Sequence, residues 1–194
     1  MTEQLFDVNE LFEGLKNFDK NLLFMEKGER KFFCLAMPLE YNGKKKIALP
    51  VQGYFKGQPN KNPSFLVRCF EVPIQSNGQP DFQNAKFVAL VTNGYVAGKI
   101  RDCFTAGSAL ETKPNLLPDS NGKAYLFKLQ RVDKNTEFTP SSVSIQIPVD
   151  LYQQDNPDWA TLLEEFNGMQ VAMTAKYSKD NGVETNKEST PWDN

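Results

Sequence analysis

The stretch Lys123-Ala124-Tyr125-Leu126-Phe127-Lys128-Leu129-Gln130-Arg131-Val132 sets the fold class. It is rich in the aromatic and aliphatic side chains that favour strands. At a strand's two-residue period, Tyr125, Phe127 and Leu129 share one face, and Lys128 and Gln130 share the other. A similar alternation at Val143, Ile145, Ile147 and Val149 predicts a half-buried strand over 143–149. Met169, Val171, Met173, Ala175 and Tyr177 alternate in the same way and predict a last strand over 169–177.

Upstream of this stretch, short apolar runs are separated by turn residues. Strands are expected over 22–25, 31–37, 47–55, 65–74 and 87–92. Asn42-Gly43 is a strong hairpin signal, and Pro50 must fall on an edge or at a bulge. Two helices are expected. One covers 8–18, opened by Asp7 and carrying Leu11, Leu15 and Phe18. The other opens with Asn156 as cap and Pro157 in first position, buries Trp159, Leu162 and Phe166, and stops at Gly168. Over 93–112 both helix and loop stay open. Asn93 could cap Val96, Ile100 and Cys103, but Gly94, Gly98 and Gly107 weigh against a helix. Turns too short for helical crossovers imply antiparallel connections. The expected fold is mainly β with short helices, an antiparallel barrel over 1–177. A polar, acidic tail over 178–194 lacks the apolar residues to order itself.

The chain contains no histidine. This excludes a Ser-His-Asp triad, a Cys-His dyad and a His-ligated zinc site. No phosphate-cradling Gly loop, Cys-x-x-Cys or calcium loop is present, so neither cofactor nor metal is expected. Glu164 and Glu165 are helix neighbours that point apart, while Asp155 and Asp158 suit a helix start. Ser108 lies in a plain Ala-Gly-Ser-Ala run. The expectation is a binding protein rather than an enzyme. Cys34, Cys69 and Cys103 are odd in number and set among apolar residues, which suggests free buried thiols in a reducing compartment. With no 18-residue apolar run and no leader pattern, a cytoplasmic protein without a membrane partner is expected.

The net charge of −2 conceals an asymmetry: residues 1–19 carry −4, residues 20–147 carry +8 and residues 148–194 carry −6. Within the basic region, cations are interleaved with aromatics. Lys44, Lys45 and Lys46 follow the hairpin turn, and Tyr54, Phe55, Lys56 and Lys61 come next. Arg68 lies further on, and Tyr125, Lys128 and Arg131 share the stretch quoted above. Single-strand binders combine a positive track for phosphates with aromatic platforms for bases. The cations are the candidate phosphate contacts, and Tyr54, Phe55 and Tyr125 the candidate stacking residues.

The tail ends Pro191-Trp192-Asp193-Asn194, preceded by Glu188. Together with the β-rich layout, this resembles single-stranded DNA-binding proteins, whose flexible tail ends in an acidic tip bearing proline and an aromatic residue. Here the acids are sparser, and two residues follow the Trp. The resemblance implies an OB-type core and a role in binding and protecting single-stranded DNA during replication or recombination, as in phage- or plasmid-encoded members. It further implies a protein partner recruited through Pro191 and Trp192. The alternative expectation is a nonenzymatic structural or protein-interaction module, such as a virion component or an inhibitor of a host protein.

Overall fold

The computed structural model describes residues 21–103 and 116–180, with 177–180 as backbone alone. The expected helix over 8–18, Ser108, and the tail residues Pro191 and Trp192 lie outside the described residues. The strands are β1 (Leu22–Leu23), β2 (Arg30–Leu35), β3 (Leu39–Tyr41), β4 (Lys44–Lys46), β5 (Ala48–Val51), β6 (Tyr54–Phe55), β7 (Gln58–Pro59), β8 (Ser64–Glu71), β9 (Lys86–Thr92), β10 (Lys123–Val132) and β11 (Asn135–Gln146). Among the described residues, three α-helices accompany them: α1 (Gly94–Asp102), α2 (Val149–Gln153) and α3 (Trp159–Asp180).

Seven strands form one sheet in the order β1-β9-β8-β2-β10-β11, with β5 also paired to β8. Strand β5 takes the Ser64–Val67 end of β8, and β2 takes the Cys69–Glu71 end, so the two lie along the same side of it. All pairings in the sheet are antiparallel except β1 with β9. Pro50 sits in β5, whose one partner among the described strands is β8, so its missing N–H breaks no ladder.

The sheet is mixed and does not close, which corrects the expectation of an antiparallel barrel. A barrel needs its end strands to pair and has one interior. Here β1 and β11 are separate ends, and both faces of the central strands are covered. On one face, Phe33, Leu35, Val67, Leu90 and Phe127 pack with Val96 and Ile100 of α1. Phe33 and Phe127 stack across β2 and β10 with ring centroids 5.4 Å apart. On the other face, Phe70, Leu126 and Ile147 lie under Leu151 of α2. Leu49, Leu66 and Ala89 on that face lie under α3. The OB-type core implied by the tail does not form, and the DNA-binding role drawn from that resemblance loses this support.

The expected strand over 169–177 is instead helix. Trp159, Leu162, Phe166 and Met169 recur at helical spacing and are all buried, so the stripe runs through Gly168. The alternating partners Val171 and Met173 are 70% and 58% exposed and pair with no strand. The cap of α3 also differs from expectation. Asp158 accepts a 2.8 Å hydrogen bond from the Thr161 amide, and Pro157 precedes it. The strand expected over 143–149 starts earlier, at Asn135, and Val149 opens α2. Between Tyr125 and Phe127 the register against β11 shifts, with the extra residues on β11 between Pro140 and Ser144. Residues 93–102 take the helical option, with the Asn93 side chain accepting from the Val96 amide at 3.0 Å. The hairpin at Asn42-Gly43 forms with φ of 51° and 72°, the left-handed pair that a two-residue turn requires. Cys34, Cys69 and Cys103 are all buried. Burial pushes the Cys34 thiol up to about 12.

Arg68 is the large exception in this core. It is 2% exposed, with its guanidinium 4.9 Å from the Phe87 ring centroid and 5.6 Å from that of Trp159. It donates to the Pro157 carbonyl, while Nε has no partner among the described residues. Burial pulls its pKa down to about 10, opposed by the charge of Asp158. Such a cation fills space between two rings but gains little from its charge. Arg68→Met should therefore change the unfolding free energy by no more than about 1 kcal/mol. Arg68→Ala should cost about 3 kcal/mol through the cavity it leaves. Urea denaturation distinguishes these, and equal losses in both variants would mean that the charge itself holds α3 in place.

Hydrogen bonds from the Thr161 amide and hydroxyl hold the Asp158 carboxyl below the usual carboxylate range. The unfolded chain therefore takes up this proton at higher pH than the native one. Its stabilisation is present above the ordinary aspartate pKa and is lost as the pH falls through the lower native value. Asp158→Asn keeps a capping oxygen that does not titrate. Thermal melts from pH 6 down to 3 should show the wild type losing more stability than Asp158→Asn, and parallel curves would rule out this role.

Candidate functional site

The candidate residues divide into three groups. Lys44, Lys45 and Lys46 form β4, all exposed, on a hairpin whose other strand packs by Leu39 and Tyr41 under α3. The indole N–H of Trp159 donates to the Leu39 carbonyl at 3.3 Å, which fixes the hairpin to the start of α3. Glu40 lies opposite Lys45, yet no ion pair within 4 Å joins them.

The second hairpin, β6–β7, carries Tyr54 and Phe55, which are 43% and 69% exposed. Its turn residues Lys56 and Gly57 both have positive φ, 53° and 75°. Lys56 Nζ lies 5.7 Å from the centroid of the Phe55 ring. The Tyr54 amide donates to Gln170 Oε1 at 2.8 Å, which ties this hairpin to the middle of α3. Lys61 is exposed in the loop that follows. At 1.5 Å per residue, the anchoring positions 159 and 170 on α3 lie roughly 16 Å apart. The two hairpins therefore stand along one helix, with β5 running between them.

Residues 41–70 contain Lys44, Lys45, Lys46, Lys56, Lys61 and Arg68 and no Asp or Glu. Among the described residues, Lys44, Lys45, Lys46 and Lys61 make no ion pair. Arg68 is the member the structure removes from the surface, because it lies in the core beneath α3.

The third group is elsewhere. Tyr125, Lys128 and Arg131 lie on β10, across β2 from β8. Tyr125 is half-buried against the α1-side core, while Lys128 points to the opposite face of the sheet. Arg131 is occupied locally, donating from Nε to the Asp133 carbonyl at 3.2 Å and from NH1 to Thr136 Oγ1 at 3.1 Å. Strand β2 thus lies between these three residues and β8, and Tyr125 and Lys128 face opposite sides of the sheet.

A cleft of about 430 Å³ opens beside Lys45 and Lys46, and sequence reasoning missed it. Its floor is apolar, formed by Ile47, Phe65 and Val67. Its wall is the face of α1 bearing Gly94, Ala97, Gly98 and Arg101. These four sit at i, i+3, i+4 and i+7, one helical face. Gly94 and Gly98, two of the glycines that weigh against a helix, are small residues that leave this space empty. The usable signal was the spacing of small residues beside the apolar stripe of Val96 and Ile100.

Among the described residues, no group of three or more carboxylate or thiol side chains could hold a metal ion, and no helix is long and apolar enough to cross a membrane. Compared with models of known protein families, with curated proteins and with solved structures, the chain finds no match in any of the three.

Proposed function

We propose that the protein binds single-stranded nucleic acid along the two hairpins that flank α3, without enzymatic activity. The observation that carries this is the acid-free segment 41–70, which displays five lysines beside two exposed aromatic rings. Lys44, Lys45, Lys46 and Lys61, which make no ion pair among the described residues, set up a positive strip that attracts phosphates and steers their approach. Tyr54 and Phe55 offer ring faces on a hairpin whose backbone is anchored to α3. Each base stacked on such a ring contributes about 1–3 kcal/mol. Among the described residues, no helix presents a basic face suited to a major groove, which favours a single strand over a duplex. The segment is part of the chain's own chemistry and does not depend on a barrel.

A protein-interaction module is the second reading. It draws on the groove between Tyr54 and Gly57 on one side and Gln170, Val171 and Thr174 on the other, where Val171 is 70% exposed.

Anisotropy titrations of labelled oligo-dT at several salt concentrations test the first reading. Binding should weaken steeply with salt and exceed binding to a duplex of the same length. Lys44→Ala, Lys45→Ala and Lys46→Ala combined should reduce the salt slope by about 2, at roughly 0.7 for each phosphate no longer neutralised. Absence of binding at low salt, or equal affinity for duplex, would leave the protein-interaction reading in its place.

A further inference from the structure

We propose that the cleft between β4, β8 and α1 seats one nucleotide unit, its base against Phe65 and its phosphate on Lys45 and Lys46. The inference rests on the single-strand reading and adds a pocket that grips one residue of the strand. Three independent observations converge on it.

The first is size and lining. A volume of about 430 Å³ falls within the range typical of small-molecule sites, and the floor is apolar with one aromatic ring. The second is the origin of the space. A Cβ built on Gly98 would meet nothing within 4 Å, and one on Gly94 would meet only the edge of the Phe65 ring, at 3.6 Å. The opening is therefore made by absent side chains on a capped helix, and Phe65 stands beside it. The third is charge at the rim. Lys45 and Lys46 line the opening and make no ion pair among the described residues. Arg101 lies on the opposite rim, and it pairs with its exposed neighbour Asp102 at 3.2 Å. Exposed pairs of this kind are weak, so Arg101 can turn to an anion. An apolar floor with cations on two sides suits a flat, weakly polar ring carrying a phosphate.

The same chemistry could come from a residue within a strand or from a free nucleotide. Gly98→Leu separates the possibilities. Leucine at this helical position fills the cleft, and it replaces a poor helix former by a good one. The variant should melt at the wild-type temperature or above. It should bind 5′-phosphorylated oligo-dT about tenfold more weakly than wild type, with the salt slope unchanged because no cation is removed. Wild-type affinity in Gly98→Leu, alongside a weakened triple-lysine variant, would overturn the cleft and leave the single-strand reading standing. Failure of the wild-type protein to bind oligo-dT would remove both. In a second arm, methyl resonances of Ile47, Val67 and Ile100 are followed by NMR during titration with dTMP and, separately, inorganic phosphate. Shifts with dTMP alone support base insertion and admit a free nucleotide. Shifts of equal size with phosphate would overturn it, because the apolar floor would then be unused.

Discussion

Strand β8 is buried on both faces from Leu66 to Phe70, and this burial organises the rest of the molecule. Phe65, Val67 and Cys69 point toward α1, while Leu66, Arg68 and Phe70 point toward α2 and α3. A strand of this kind needs cover above and below as well as partners on both edges. It receives β9 along one edge and β2 with β5 end to end along the other. The long helix α3 follows from the same demand, because the end of β8 that pairs with β5 would otherwise expose Leu66 beside Leu49. The stripe from Trp159 to Met169 covers that surface.

The placement of the surface features descends from this arrangement. The chain leaves β2, turns out as the β3–β4 hairpin, returns as β5 and turns out again as β6–β7. Each hairpin is fastened to α3, one through the Leu39 carbonyl and the other through the Tyr54 amide. The lysines and exposed rings are thus mounted on short, polar excursions from a fully covered core. On the other layer, the small-residue face of α1 cannot fill the space over Phe65, and the cleft results.

Features governed by neighbouring residues were legible in the sequence. The Asn42-Gly43 turn needs only left-handed backbone, and the alternation in β10 needs only its own two faces. Asn93 likewise signals a helix start, which the glycines obscure. Features governed by distant partners were not legible. Met169, Val171 and Met173 satisfy the strand period, while Met169 also extends the helical stripe of Trp159 and Phe166. What decides between them is the surface of β8 and β5 waiting to be covered. Arg68 reads as a surface cation because nothing local indicates that Phe87 and Trp159 will enclose it. Closure into a barrel rests on turn lengths alone, and it fails because a sheet packed on both faces has no single interior. Of the candidate site, the lysine and Tyr54–Lys61 segments were legible as composition. Their separation from Tyr125, Lys128 and Arg131 depends on strand order, and the cleft depends on which faces of α1 and β8 meet.

An open sheet has a rim, and a rim can recruit another strand. Among the described residues, β11 pairs with β10 alone, so its twelve residues form an edge of the sheet. Such a border invites edge-to-edge growth between molecules. Pro140, opposite Phe127, interrupts it midway, since proline supplies no amide to a foreign strand. The nearby bulge twists the same region away from the flat geometry that stacking requires. Two local irregularities thus break the border into short lengths, and the protein can keep its sheet unclosed while offering a poor template for its own polymerisation.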